Sequence, residues 1–312
     1  MPTPVVLLGP QHVSIDAHLV LRDLGITGRI ALITAGWQER EDDDAALIAG
    51  LGVPAVNLRL HARAEEVFAA DAPLREAYKE RQELLRHLQT FYRVRLDHTD
   101  AAAHAISVRH VEPELLAQEW QVSVELFRQL DRDHLERCRA IHTSFETRWQ
   151  LGARPVVARH RRELGELVKG AVAVVIAGGH VASLLNRLKL FDIIGLAAGK
   201  PVLAWSAGAM VLTDRIVLFH DFPPYGSDLA QVLDAGFGLV PDLVVLPDPR
   251  RRIRIDDHAA IARFTQRMAP STCIALDHGA VVVIEGSRIV RGAAEKLTTT
   301  GQVDTNWAGV GP

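Results

Sequence analysis

Apolar and polar positions fall into two regimes along this chain. In the first 60 residues short β-branched runs alternate with helical patterns. Val5-Val6-Leu7-Leu8 ends at Gly9-Pro10, and apolar residues then recur at helical spacing up to Leu24. Residues 29–33 read as a second strand, stopped by Ala35-Gly36. The cluster Asp42-Asp43-Asp44 opens a helix ending near Gly50, since carboxylates favour the positive end of the helix dipole. Residues 55–58 resume a strand. This β-α-β-α-β alternation predicts a parallel sheet covered by helices on both faces.

The rhythm breaks between about residues 73 and 150, where there is scarcely a glycine or proline. Leu74, Tyr78, Leu84, Leu85, Leu88, Phe91 and Tyr92 trace one stripe at three- and four-residue spacing. Leu115, Leu116, Trp120, Val124, Phe127 and Leu130 trace a second, and a third runs over 135–145. The pattern predicts an insertion of about three helices, 73–150, between α/β segments at 1–72 and 151–312. Its aromatics pack the helices together; a lid or a homodimer surface is the functional alternative. Strands are expected again at 172–176, 201–205, 215–219, 243–246 and 272–276. Residues 280–284 and 288–290, joined by Glu285-Gly286-Ser287, form a hairpin. The polar tail 298–312 reads as irregular.

Composition narrows the class. A hydrophobic fraction of 48% and a charged fraction of 23% are ordinary for a globular chain. A formal net charge of -3 gives no overall field toward nucleic acid or an anionic membrane. Two cysteines, Cys138 and Cys273, are too few for a disulfide scaffold and read as reduced thiols. No stretch approaches the roughly 18–20 apolar residues of a membrane span, and no basic region precedes the first strand. A soluble, cytoplasmic protein is expected, with no nucleic-acid or membrane partner.

Chemistry concentrates at two strand ends. In Val202-Leu203-Ala204-Trp205-Ser206-Ala207-Gly208-Ala209 a strand enters, Ser206 occupies the turn and a small-residue helix leaves. A nucleophile elbow is so tight that only small residues fit two positions either side; Ala204 and Gly208 give an A-x-S-x-G variant. Such a turn lifts the hydroxyl out of the sheet and aims the N–H of Ala207 at developing negative charge. One strand earlier, Ile176-Ala177-Gly178-Gly179-His180 ends in a glycine pair. There the Gly179 N–H is placed for a second oxyanion donor. Ligands in open α/β sheets sit at the carboxyl ends of strands, where both segments end.

These segments, with Leu184-Leu185-Asn186 and Gly236-Phe237-Gly238-Leu239-Val240-Pro241, resemble peptidase family S51, the group of aspartyl dipeptidase (peptidase E) and cyanophycinase. The resemblance is strong over 170–290, loose over 1–60 and absent from the helical insertion. It implies a three-layer α/β/α fold with a mostly parallel sheet, class I glutamine amidotransferase-like and flavodoxin-like, carrying an all-helical insertion. It further implies a serine nucleophile at Ser206, an oxyanion hole of Gly179 and Ala207, and cleavage of a C–N bond beside an acidic residue in a small or dipeptide substrate. His180 is then expected to bind substrate.

One departure matters. The family's base histidine follows the glycine-leucine-proline stretch, and here Asp248 stands in its place. A carboxylate with a reference pKa of about 3.9 is a poor base for a serine hydroxyl. His220, His258 and His278 are the substitutes, with His278 preferred because its turn approaches the pocket in the family. Asp214, Asp221 or Asp277 would orient that base. In Arg250-Arg251-Arg252-Ile253-Arg254 a guanidinium of Arg250 or Arg252 would clamp a substrate carboxylate; a solvated face is the plainer reading. No metal-ligand spacing, Walker A or dinucleotide fingerprint is present, so no cofactor or metal is expected. A non-catalytic binding or scaffold protein that keeps the pocket but lacks the base is the rival reading.

Overall fold

The structure, a computed structural model, describes residues 3–12, 14–220, 229–286, 288–305 and 307. The chain starts with β1 (Pro4–Leu8), α1 (Ala17–Asp23), β2 (Ile30–Ile33), α2 (Ala45–Leu51), β3 (Ala55–Asn57) and α3 (Leu60–Ala70). Two long helices follow, α4 (Ala72–Ser107) and α5 (Pro113–Trp149). After them come α6 (Pro155–Lys169), β4 (Val174–Ile176), α7 (Val181–Phe191), α8 (Ile193–Leu196), β5 (Val202–Trp205) and α9 (Ala207–Leu212). The last part holds β6 (Arg215–Leu218), β7 (Gln231–Ala235), β8 (Leu243–Pro247), α10 (His258–Met268), β9 (Thr272–Leu276), β10 (Val281–Glu285), β11 (Arg288–Ala293), β12 (Glu295–Leu297) and β13 (Val303–Asp304).

The main sheet has the order β11-β10-β1-β5-β4-β2-β3. Its β1, β5, β4, β2 and β3 are parallel, and the β10–β11 hairpin joins antiparallel beside β1. Period-2 alternation explains the three layers: Leu7, Ile33, Val174, Ile176 and Ala204 face one apolar cluster, and Val6, Leu8, Leu32, Val175 and Trp205 face the other. The expected parallel sheet with helices on both faces is therefore present. A second sheet, β13-β12-β9-β8, and the β6–β7 pair carry the rest. The strands β7, β12 and β13 escaped the sequence reading. They are 5, 3 and 2 residues long; β13 lies in the tail that reads as irregular, and pairs with β12 just before it.

The insertion is two helices of 36 and 37 residues, not three. No glycine, and no proline after Pro113, interrupts 113–149, so the second and third stripes lie on one continuous helix. Asp71 caps α4 by accepting from the Leu74 N–H at 3.0 Å, and its carboxylate takes two hydrogen bonds from Arg154 at 2.5 and 2.6 Å. The base of this hairpin belongs to the common core. Leu74, Tyr78 and Phe145 share a cluster with β4 and β5, and the Tyr78 and Phe145 rings meet edge-on at 4.9 Å. Further along, Tyr92, Phe127 and Leu135 pack on Val232 and Ala235 of β7. Among the described residues no helix is long and apolar enough to cross a membrane.

Candidate active site

Parallel strands end on one edge of the sheet, so the turns after β1, β2, β4 and β5 lie side by side. Ser206 follows β5 with φ 52° and ψ -125°, a backbone that strains any residue with a Cβ by about 1–3 kcal/mol. The small residues around it have separate physical reasons. A Cβ on Gly208 would lie 2.4 Å from the Ile176 carbonyl oxygen, so only glycine lets α9 approach β4 this closely. Ala204 is fully buried against the core. A Cβ on Gly178 would lie 2.7 Å from that of Ser206, which places the glycine turn directly against the serine. Gly179 has φ +112°, and a Cβ there would strike the Gly36 carbonyl oxygen at 2.3 Å. Neither the Gly179 nor the Ala207 N–H has an acceptor among the described residues.

The remaining candidates fall at different distances from this turn. His278 stands in the turn before β10, and β1 separates that strand from β5. Its Nε2 lies 3.1 Å from Ser14 Oγ and 3.4 Å from Asp16 Oδ2, and Ser14 Oγ donates to Asp16 Oδ1 at 2.8 Å. No described side chain hydrogen-bonds the Ser206 hydroxyl, His278 included. Asp248 follows β8 in the left-handed region, φ 53° and ψ 49°, its carboxylate 3.6 Å from Arg251. His220 is elsewhere. It lines a cavity of about 700 Å³ between the long helices and α10, beside His104, Trp120, Phe127, Phe219 and Phe264, and Ser206 is not on that wall. His258 hydrogen-bonds the Gly301 carbonyl oxygen at 2.7 Å, at the start of α10.

The arginine run divides residue by residue. Arg250 is already held between Glu295, at 2.6 Å, and Asp277, at 3.1 Å. Arg252 lies over the Phe219 ring at 5.6 Å. Two carboxylates engage one guanidinium, and a ring lies under the other. Arg251 is different: its side chain is 71% exposed, and among the described residues its polar contacts are Asp248, at 3.6 Å, and His12 Nε2, at 3.3 Å. Of the acids named as orienters, Asp214 accepts from the Asp242 N–H at 3.0 Å. Asp277 faces Arg250; burial pushes its carboxyl above the usual range, with the guanidinium opposing. Asp221 lies outside the described residues. His180 is exposed and caps α7, its Nδ1 accepting from the Ser183 N–H at 3.2 Å.

A sequence model of peptidase family S51 matches residues 132–291, more than half of the chain, and spans both strand ends just described. The chain belongs to peptidase family S51. The solved structure of a provisionally assigned peptidase E protein from Listeria monocytogenes EGD-e overlays 96% of this chain and 100% of its own, at 11% identity and a TM-score of 0.43. No curated protein matches the chain. As an S51 member the chain is a hydrolase of the peptidase type. The match begins inside α5, so residues 132–149 of that helix lie within the family's extent. Sequence reasoning missed Gln38, Ser14, Asp16 and His12, which reach this edge from the loops after β1 and β2, and Ser183, on the first turn of α7 after β4. Nothing in their local sequence marks them, because only strand order brings those loops together.

Proposed function

We propose that this S51 member is a serine-type peptidase or amidohydrolase in which Ser206 attacks the carbonyl of a small, acidic substrate. The observation that carries the reading is the Ser206 backbone, φ 52° and ψ -125°, in a turn whose neighbours Gly178 and Gly208 admit no side chain. Strain of this kind persists where the surrounding structure over-determines it, and such places cluster at reacting groups. The N–H groups of Gly179 and Ala207 would hold the oxyanion. His278, oriented by Asp16, would take the serine proton, and Arg251 would hold the substrate carboxylate from the run after Asp248. The substrate is a small molecule or dipeptide. Leu84, Phe91, Leu115, Val122 and Leu126 are exposed on the long helices and are the surface on which a homodimer would form.

Asp248 favours a second reading, a binding protein that keeps the pocket without the base. Intact mass after exposure to a small fluorophosphonate separates the two. The hydrolase reading expects one adduct on the native protein, none on Ser206→Ala and slowed labelling on His278→Gln. An unlabelled native protein that gains labelling on Asp248→His would establish the binding reading instead.

A further inference from the structure

Ser206 has a twin. Gln38, five residues after β2 ends at Ile33, has φ 59° and ψ -124°, against 52° and -125° at Ser206. Other non-glycine residues with positive φ, such as Arg59, Gln150, Asp192 and Asp248, lie in the ordinary left-handed region. The Gln38 geometry is that of the first corner of a type II′ turn, where glycine, asparagine and aspartate prevail. Glutamine gains nothing locally from it, so its side chain is the feature to explain.

The two strained turns are joined through β4. The Gly36 carbonyl oxygen accepts from the His180 N–H at 2.7 Å, and Cβ atoms on Gly36 and Gly179 would each collide with the other's turn. Gly178 in turn abuts Ser206. From this position the Gln38 side-chain amide donates to Ser183 Oγ at 2.8 Å, and Ser183 Oγ lies 3.0 Å from His180 Nδ1. The same Nδ1 accepts from the Ser183 N–H at 3.2 Å. Since Gln38 donates to the hydroxyl, the hydroxyl's own proton is directed at His180. Two donors then converge on Nδ1, and the neutral ring must carry its proton on Nε2.

We propose that Gln38 is a positioning residue for the Ser206 site: through Ser183 it fixes the ring and tautomer of His180, so that an exposed Nε2–H meets a hydrogen-bond acceptor of the substrate, a carboxylate or carbonyl of an acidic peptide. His180 in this state is a donor and not the missing base, because its one lone pair is taken. The inference rests on the serine-hydrolase reading for its substrate, and not for the relay itself.

Gln38→Glu is the isosteric test. A carboxylate accepts where the amide donated, so the Ser183 proton turns toward residue 38 and His180 Nδ1 loses one donor. Long-range ¹H–¹⁵N spectra of the His180 ring should show the Nε2–H tautomer alone in the native protein and a mixture in Gln38→Glu. Fluorophosphonate labelling of Ser206 should slow about tenfold or more in Gln38→Glu and in Ser183→Ala, with no further loss in the double variant. Gln38→Gly removes the relay and relaxes the turn, so it should label as slowly while its thermal midpoint rises by about 2–4 °C. A structural role would move stability and labelling together, and that result overturns the proposal. So does an unchanged His180 tautomer in Gln38→Glu. If the native protein is not labelled at all, the Ser206 reading fails and the tautomer spectra alone decide the relay.

Discussion

Replacing Arg267 by methionine should cost this protein more than almost any other single change at a distance from Ser206. Arg267 is 6% exposed and Asp131 2%. Arg267 Nε donates to Asp131 Oδ2 at 2.8 Å and Nη2 to Oδ1 at 2.7 Å, a two-pronged pair between α10 and α5. Its remaining donors reach the Ala230 carbonyl oxygen and the Tyr92 hydroxyl, both at 2.8 Å, and the Tyr92 hydroxyl donates to Asp131 Oδ1 at 2.8 Å. Methionine fills much of the same volume but leaves a buried carboxylate with one hydrogen bond. Removing one partner of such a pair costs about 3–5 kcal/mol, chiefly as the uncompensated charge of the other. Adding Asp131→Asn removes that charge and keeps an acceptor for Tyr92, so the double variant should lose only about 1–2 kcal/mol. In urea, with a slope of about 3 kcal/mol per molar, the single variant's midpoint should fall by roughly 1–1.7 M and the double variant's by well under 1 M. A loss below about 1 kcal/mol in Arg267→Met, or a double variant no better than the single, would refute this electrostatic reasoning.

Other outcomes follow from the same geometry. Arg154's hydrogen bonds hold the Asp71 carboxyl below its ordinary value of 3.8. A depressed folded pKa gives stability that is present above the unfolded value and lost as pH falls through the folded one. Asp71→Asn should therefore cost about 1–3 kcal/mol at pH 7, with melting curves of variant and native protein converging below about pH 4. Gly179→Ala puts a Cβ 2.3 Å from the Gly36 carbonyl oxygen at a φ of +112°, so it should destabilise by about 3 kcal/mol or more in a urea titration; a soluble variant of native stability would show that the two turns do not touch. Burial pushes the Cys138 and Cys273 thiols up to about 12. Both should ignore a disulfide reagent in the native protein and react fully in denaturant, and rapid native labelling would contradict their burial.

Local sequence determined a good deal here. The short β-branched runs that became β1, β2, β4 and β5, the glycine pair and the tight turn at Ser206 were legible because strand and turn requirements act within a few residues. The hinge of that legibility was size: Ala204, Gly178 and Gly208 had to be small for reasons a turn imposes by itself. Helix number in the insertion was misjudged because amphipathic stripes report a buried face and not a helix end; without a breaker, 113–149 simply continued. What the chain does with its histidines and arginines was decided only in three dimensions. His220 and Arg252 lie near the right residues in sequence but belong to another cavity and another ring. Arg250 is neutralised by Glu295, 45 residues away. Gln38 carries no local mark, and acquires a role only because β2 and β5 flank β4, which brings two equally strained turns against one pair of glycines. Charge pairing and strand order are long-range properties, and no window along the sequence contains them.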